Sequence, residues 1–194
     1  MANSHLEKVI AHFIRPDGGT IQWGYFNEDT GAFVASQGRQ GYGDDTTWSR
    51  GQSWLLYSLV NAYAETGRAD FLAAAKKVAD YWLARVGADM VPNWDFDAPA
   101  SAGVFKDSSA AAVAASAFLT LGSAIAGTPN GIRYRAAAEA TLSSLASANY
   151  LDASAGRGLL KHGARWVAKG NVDDSLIYGD YYFLEAINRY NGLA

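Results

Sequence analysis

Residues 107–131 read DSSAAAVAASAFLTLGSAIAGTPNG, and this stretch decides the fold. Asp107 or Ser108 can cap a helix, because each offers a side-chain oxygen to the free N–H groups of a first turn. The helix predicted from 108 to about 126 is so rich in alanine, with apolar residues on every side, that it must pack closely on several neighbours. Gly127-Thr128-Pro129-Asn130-Gly131 then turns the chain, and a second helix is predicted over about 132–148. The unit is a helical hairpin with an unusually slim first arm.

The same unit occurs upstream. A helix from about Trp48 to Thr66 ends at Gly67, and a helix of about 69–84 follows, bearing Ala73-Ala74-Ala75. The turn glycines lie 60 residues apart (127 minus 67), and the second triplet is Ala136-Ala137-Ala138. Within 48–66, Leu55, Leu56, Leu59, Val60 and Tyr63 keep the spacing of a buried helical stripe. Thr47 is the predicted N-cap. Hairpins repeated at such an interval indicate stacked helix pairs, forming a solenoid or curving into an α/α toroid. In a toroid the alanine-rich helices 48–66 and 108–126 are the natural inner ones, and the loops at one end build the pocket. A first helix is predicted over 3–14, closed by Arg15-Pro16-Asp17-Gly18-Gly19. Short strands are predicted around 23–26 and 33–35, and a last helix at about 180–191. The fold class is therefore all-α, in one domain spanning residues 1–194.

Hydrophobic residues make up 49% of the chain and charged residues 18%, with a net charge of −3. No basic cluster suggests a nucleic-acid partner, and no apolar run reaches the roughly 20 residues that span a bilayer. The first ten residues lack the charged and apolar regions of a secretory signal. With no cysteine, disulfides, thiolate metal sites and cysteine nucleophiles are excluded, and a cytoplasmic location is expected. His5, His12 and His162 do not have metal-ligand spacing, so neither a metal nor another cofactor is expected. Six tryptophans and 11 tyrosines, many beside glycines and polar residues, fit a carbohydrate site, although most such rings serve core packing.

The stretch WSRGQSW (48–54) opens the second helix with two indoles and a guanidinium. Arg50 and Trp54 are four apart and share a helix face, as do Trp48 and Gln52. They suit a carboxylate held by the Arg50 fork with a sugar ring over Trp54. The competing reading pairs Arg50 with Asp44 or Asp45 to pin the preceding loop. In WDFD (94–97), Asp95 and Asp97 are two apart, a spacing that presents two carboxylates to one side of an extended segment. Paired carboxylates are the acid/base device of glycosidases. Asp107 is either a further acid or simply the N-cap. His162, next to glycine in a loop, is the histidine best suited to a site.

Taken together, RPDGGT (15–20), RQGYGDDTTWSRGQSW (39–54), VPNWDFDAP (91–99), KDSSAAAVAAS (106–116), LLKHG (159–163) and DDSLIYGDYYFLEAI (173–187) resemble the unsaturated glucuronyl hydrolases, glycoside hydrolase family 88. The segments occur in family order. The sister family acting on unsaturated rhamnogalacturonan is similar, but Gln52 favours the glucuronyl type. The resemblance implies an (α/α)6 toroid, with this chain matching about the C-terminal half. It also implies hydration of a vinyl ether. An aspartic acid protonates C4 of a 4,5-unsaturated uronic acid, water adds at C5, and the hemiketal opens to release the sugar.

By the same resemblance, Gln40, Trp48, Arg50 and Trp54 line the uronate subsite, and Gln22 stands where the family has a histidine. The family's two key aspartates lie upstream of the position matching Met1. The catalytic group is thus unassigned, with Asp95, Asp97 and Asp107 as candidates, and a non-catalytic carbohydrate-binding half-toroid is the alternative. The expected ligand is an oligosaccharide ended by an unsaturated uronate. Open edges of alanine-rich helix lead us to expect self-association.

Overall fold

A computed structural model describes residues 2–154, 156 and 158–193. Six helices and one hairpin succeed one another: α1 (Ala2–Phe13), β1 (Trp23–Phe26), β2 (Phe33–Gln37), α2 (Ser49–Thr66), α3 (Ala69–Arg85), α4 (Ser108–Ala124), α5 (Pro129–Leu145) and α6 (Ile177–Tyr190). Helices α2, α4 and α6 lie side by side as an inner row, and α3 and α5 pack behind α2 and α4. This is an arc of an α/α toroid, about half of a ring.

The alanine-rich stretch behaves as its composition requires. Every residue of α4 from Ser108 to Leu119 is buried, because α2, α5 and α6 each take one of its faces. Close approach of α4 to α5 depends on glycine. A Cβ on Gly122 would sit 3.0 Å from the Gly131 carbonyl oxygen, and one on Gly131 would sit 2.3 Å from that of Ile125. The larger core side chains, Trp82, Phe118 and Tyr134, fill the space between inner and outer helices, with Trp82 and Phe118 edge to face at 5.3 Å.

The caps explain the boundaries. Asp107 accepts from the N–H groups of Ser109 and Ala110. Thr128 accepts from Gly131 N, with Pro129 in the first turn, so α5 starts three residues earlier than expected. Gly67 ends α2 in the left-handed region at φ 66°. Thr47 is not the cap of α2. That position belongs to Trp48, because the Thr47 hydroxyl is committed to the Tyr81 hydroxyl at 2.8 Å and to Arg15.

The hairpin pairs Trp23 with Gln37 and Tyr25 with Ala35, then shifts register so that Phe26 meets Phe33. Phe26 and Phe33 pack on His12 of α1. Of the two alanine-rich helices, α4 does not form an open edge, since it is the middle of the inner row, whereas α2 ends that row. The exposed apolar side chains at one edge are instead Ile177, Tyr181 and Leu184 of α6, while α1 at the other has no buried residue. Among the described residues, no helix is long and apolar enough to cross a membrane.

Candidate functional site

The N-terminal ends of α2, α4 and α6 converge, and Arg50 joins them. Its guanidinium is buried, with 2% exposure. One terminal nitrogen, Nη1, donates to Asp107 Oδ2 at 2.5 Å, to Ser109 Oγ at 3.2 Å and to the Ala164 carbonyl at 2.9 Å. The other, Nη2, donates to the Arg165 carbonyl at 2.8 Å. The Trp48 ring lies 4.6 Å from the guanidinium carbon and the Tyr178 ring 5.3 Å. A planar cation suits this arrangement, because its edge hydrogen-bonds while its faces meet π-systems. The partner is Asp107, at the end of the neighbouring inner helix, and neither Asp44 nor Asp45. Asp44 instead receives the Gly38 N–H. Both terminal nitrogens of the fork expected to hold a carboxylate thus already donate to the protein's own acceptors.

Gln40 reaches the same place from the loop after the hairpin, its Nε2 donating to the Arg165 carbonyl at 2.9 Å. Gln22 organises Gln40 in turn. Its Oε1 accepts the N–H groups of Arg39 and Gln40 at 2.8 Å, and its Nε2 donates to Gln40 Oε1 at 3.2 Å. Trp54 lies one helical turn beyond Arg50, against Tyr178 at 6.1 Å and Tyr182 at 5.1 Å. Gln22, Gln40, Trp48, Arg50 and Trp54 thus form one continuous wall.

Tyr178 belongs to this wall and sequence reasoning did not single it out. Burial raises its phenol above the ordinary value, an effect opposed by the Arg50 charge and reinforced by Asp107. The motif IYGDYY reads as an unremarkable helix start, and only its facing Arg50 across 128 positions (178 minus 50) distinguishes it. Gln52, which shares the motif, does not face the site. It is buried and donates to the carbonyls of Gly18 and Val78, fastening α2 to α3 and to the turn after α1.

His162 stands apart from the wall. Its backbone is left-handed at φ 62°, its Nδ1 pairs with Asp173, and its ring meets Tyr150 edge-on. It lines a separate cavity of about 600 Å³ with Lys106, Asn149 and Asp173. Its carbonyl accepts the Ser108 N–H at 3.0 Å, which ties its loop to the start of α4.

The three candidate carboxylates are all engaged. Asp95, 1% exposed, accepts from Tyr42 N and Thr46 Oγ1 at 2.8 Å and from Asp97 N at 2.9 Å. It thereby holds the loop that carries Gln40. Asp97 accepts from Thr47 N at 2.8 Å, from Tyr81 and from Arg85 at 2.5 Å, so it ties that loop to α3. The two carboxylates flank Thr46 and Thr47 and do not open together on a shared pocket. Asp107 is fully buried, as both N-cap and partner of Arg50. Among the described residues, no group of three or more acids and histidines is placed to hold a metal ion.

No protein-family model matches the chain. Among curated proteins, it is 34% identical over 193 residues to an unsaturated glucuronyl hydrolase of Bacillus sp. (strain GL1), which covers 97% of this chain and 51% of that protein. It is 34% identical over 194 residues to an unsaturated chondroitin disaccharide hydrolase of Streptococcus pyogenes serotype M1, covering 98% and 48%. A crystal structure of an unsaturated glucuronyl hydrolase specific for heparin superposes with a TM-score of 0.93 at 30% identity, over 98% of this chain and 52% of that one. The chain spans about half the length of the curated relatives it matches. Along nearly its whole length, then, this protein is related to one half of an unsaturated glucuronyl hydrolase.

Proposed function

We propose that the chain supplies the substrate-binding wall of a hydrolase that removes a 4,5-unsaturated uronic acid from the end of an oligosaccharide. The observation that carries this reading is the convergence of Gln40 and Arg50 on one carbonyl, that of Arg165, beside Trp48, Tyr178 and Trp54. Rings flanked by fixed polar groups suit a sugar, whose faces are apolar and whose rim is hydroxylated. The named activities of the relatives agree with it. In this reading Arg50 positions the wall from behind, and the ligand meets Gln40, Trp48, Trp54 and the Tyr178 hydroxyl.

Hydrating the C4=C5 bond needs an acid that delivers its proton to C4 while water adds at C5. Asp95 and Asp107 are spent on backbone N–H groups and Arg50, which favours the second reading: a binding half whose proton donor is supplied by another polypeptide segment. Asp97 is likewise held by Thr47 N, Tyr81 and Arg85, but as the one carboxyl group of the three partly open to solvent it is the one to test for the alternative. Following the ultraviolet absorbance of an unsaturated uronyl disaccharide separates the two. Tryptophan fluorescence quenching without loss of absorbance supports the binding half. Turnover that disappears in Asp97→Asn assigns the acid to this chain. With Tyr178→Phe or Gln40→Ala, binding is expected to weaken about fivefold to tenfold, the worth of one hydrogen bond to a ligand. No quenching at millimolar disaccharide would sink both readings. We also propose that the apolar face of α6, Ile177, Tyr181 and Leu184, is covered in solution by a second copy.

A further inference from the structure

The outward face of the β1–β2 hairpin carries a group of side chains that the wall does not use. Strand alternation sends Gly24 and Phe26 toward α1, where a Cβ on Gly24 would lie 2.8 Å from the Phe13 ring. The same alternation sends Trp23 and Tyr25 to the opposite face, where they remain 43% and 44% exposed. Their neighbours there are polar. Tyr25 donates its hydroxyl to Gln37 Oε1 at 2.5 Å, and the Arg39 guanidinium stacks on Trp23 with 4.4 Å between its central carbon and the ring centre. Arg39 is exposed and enters none of the ion pairs found among the described residues. Gln37 Nε2 likewise has no hydrogen-bond partner among them.

Two exposed rings on a short strand would be an aggregation hazard if they were merely leftover surface. Here each is fixed by a cross-strand polar partner, and that order has an entropic cost that a featureless surface would not bear. Stacking also prepares Arg39. With one face on the indole, its N–H edge stays free for a two-pronged contact with a carboxylate or sulfate. The Tyr25 ring beside it offers an apolar surface for a sugar face, and the Gln37 amide offers donors for hydroxyls.

We infer that Trp23, Tyr25, Gln37 and Arg39 form a second carbohydrate-binding site, on the outer face of the hairpin, for an internal acidic residue of a uronate-containing chain. The hairpin holds such a chain close to Gln22 and Gln40, which adjoin Trp23 and Arg39 in sequence. The geometry stands on the hairpin alone, whereas the choice of a uronate-containing chain rests on the function proposed above; a ligand without an unsaturated end separates failure of the one from failure of the other.

The test is a titration of the protein with saturated hexagalacturonate, which has no unsaturated end, monitored by NMR shifts of the tryptophan indole N–H signals. The Trp23 signal is expected to move, and maltohexaose, neutral and of equal length, is expected to leave it unchanged. Arg39→Ala and Trp23→Ala should each weaken binding roughly tenfold, with Arg39→Lys between them and wild type. Both positions are exposed, so melting temperatures should stay within about 2 °C of wild type. Saturation of wild type with no movement of the Trp23 signal, equal binding of maltohexaose, or undiminished binding by Arg39→Ala would each overturn the inference.

Discussion

Replacing Arg50 by alanine should cost stability before it costs binding. The side chain makes four hydrogen bonds, one of them to a carboxylate with no exposure to water. Removing one member of a buried ion pair typically costs about 3–5 kcal/mol, because the other charge is left without compensation. Asp107 keeps the Ser109 and Ala110 N–H groups and the Ser109 hydroxyl, which still solvate its charge. The low end, about 3 kcal/mol, is therefore expected. At about 2–4 °C per kcal/mol for a domain of this size, the melting temperature should fall by about 6–12 °C. Urea denaturation at fixed pH measures the loss directly, with the slope against denaturant confirming an unchanged unfolded state. Arg50→Lys should fall between, since an ammonium keeps the charge but cannot fork between Asp107 and two carbonyls. In a double-mutant cycle with Asp107→Asn, the combined loss should be about 1–3 kcal/mol less than the sum of the single losses. A loss below about 1 kcal/mol in Arg50→Ala, with disaccharide binding nonetheless abolished, would refute the positioning role and restore Arg50 as a direct ligand of the uronate.

Two other outcomes follow from the same structure. Tyr57 is pushed up to about 12, first by burial and then by the hydrogen bond it donates to Glu185. An unfolded tyrosine titrates near 10, so this stabilisation is complete below about pH 10 and is lost as pH climbs toward 12. Thermal melts over pH 9–12 should show that decline, and Tyr57→Phe should flatten it. A decline unchanged in Tyr57→Phe would move the effect to other tyrosines. For the α6 face, light scattering should report a dimer that Leu184→Glu converts to monomer; a wild-type monomer at high concentration removes the self-association reading.

What the sequence made legible was what local chemistry determines. Alanine on all sides of 108–126 announced a helix enclosed by neighbours, and Thr-Pro-Asn-Gly announced the turn after it. The sheath of loops was harder to foresee because its contacts are long-range. Arg50 meets Asp107 across 57 positions and the Arg165 carbonyl across 115, and no local pattern records either pairing. The local acids Asp44 and Asp45 were the obvious partners and proved the wrong ones. Thr47 lost its capping position to the same cause, since distant Tyr81 and Arg15 claim its hydroxyl. Five of the expected wall residues did come together, because helix periodicity placed Trp48, Arg50 and Trp54 on adjoining faces. His162 did not join them; its left-handed backbone sends the carbonyl to α4 and the ring to Tyr150.

The wall closes on a peptide carbonyl, that of Arg165, and a carbonyl is the same whatever residue supplies it. Gln40 and Arg50 therefore hold that loop without constraining its side chain, which projects into solvent. Position 165 can therefore be substituted without removing either hydrogen bond, although the change also removes a positive charge that acts on the Tyr178 phenol.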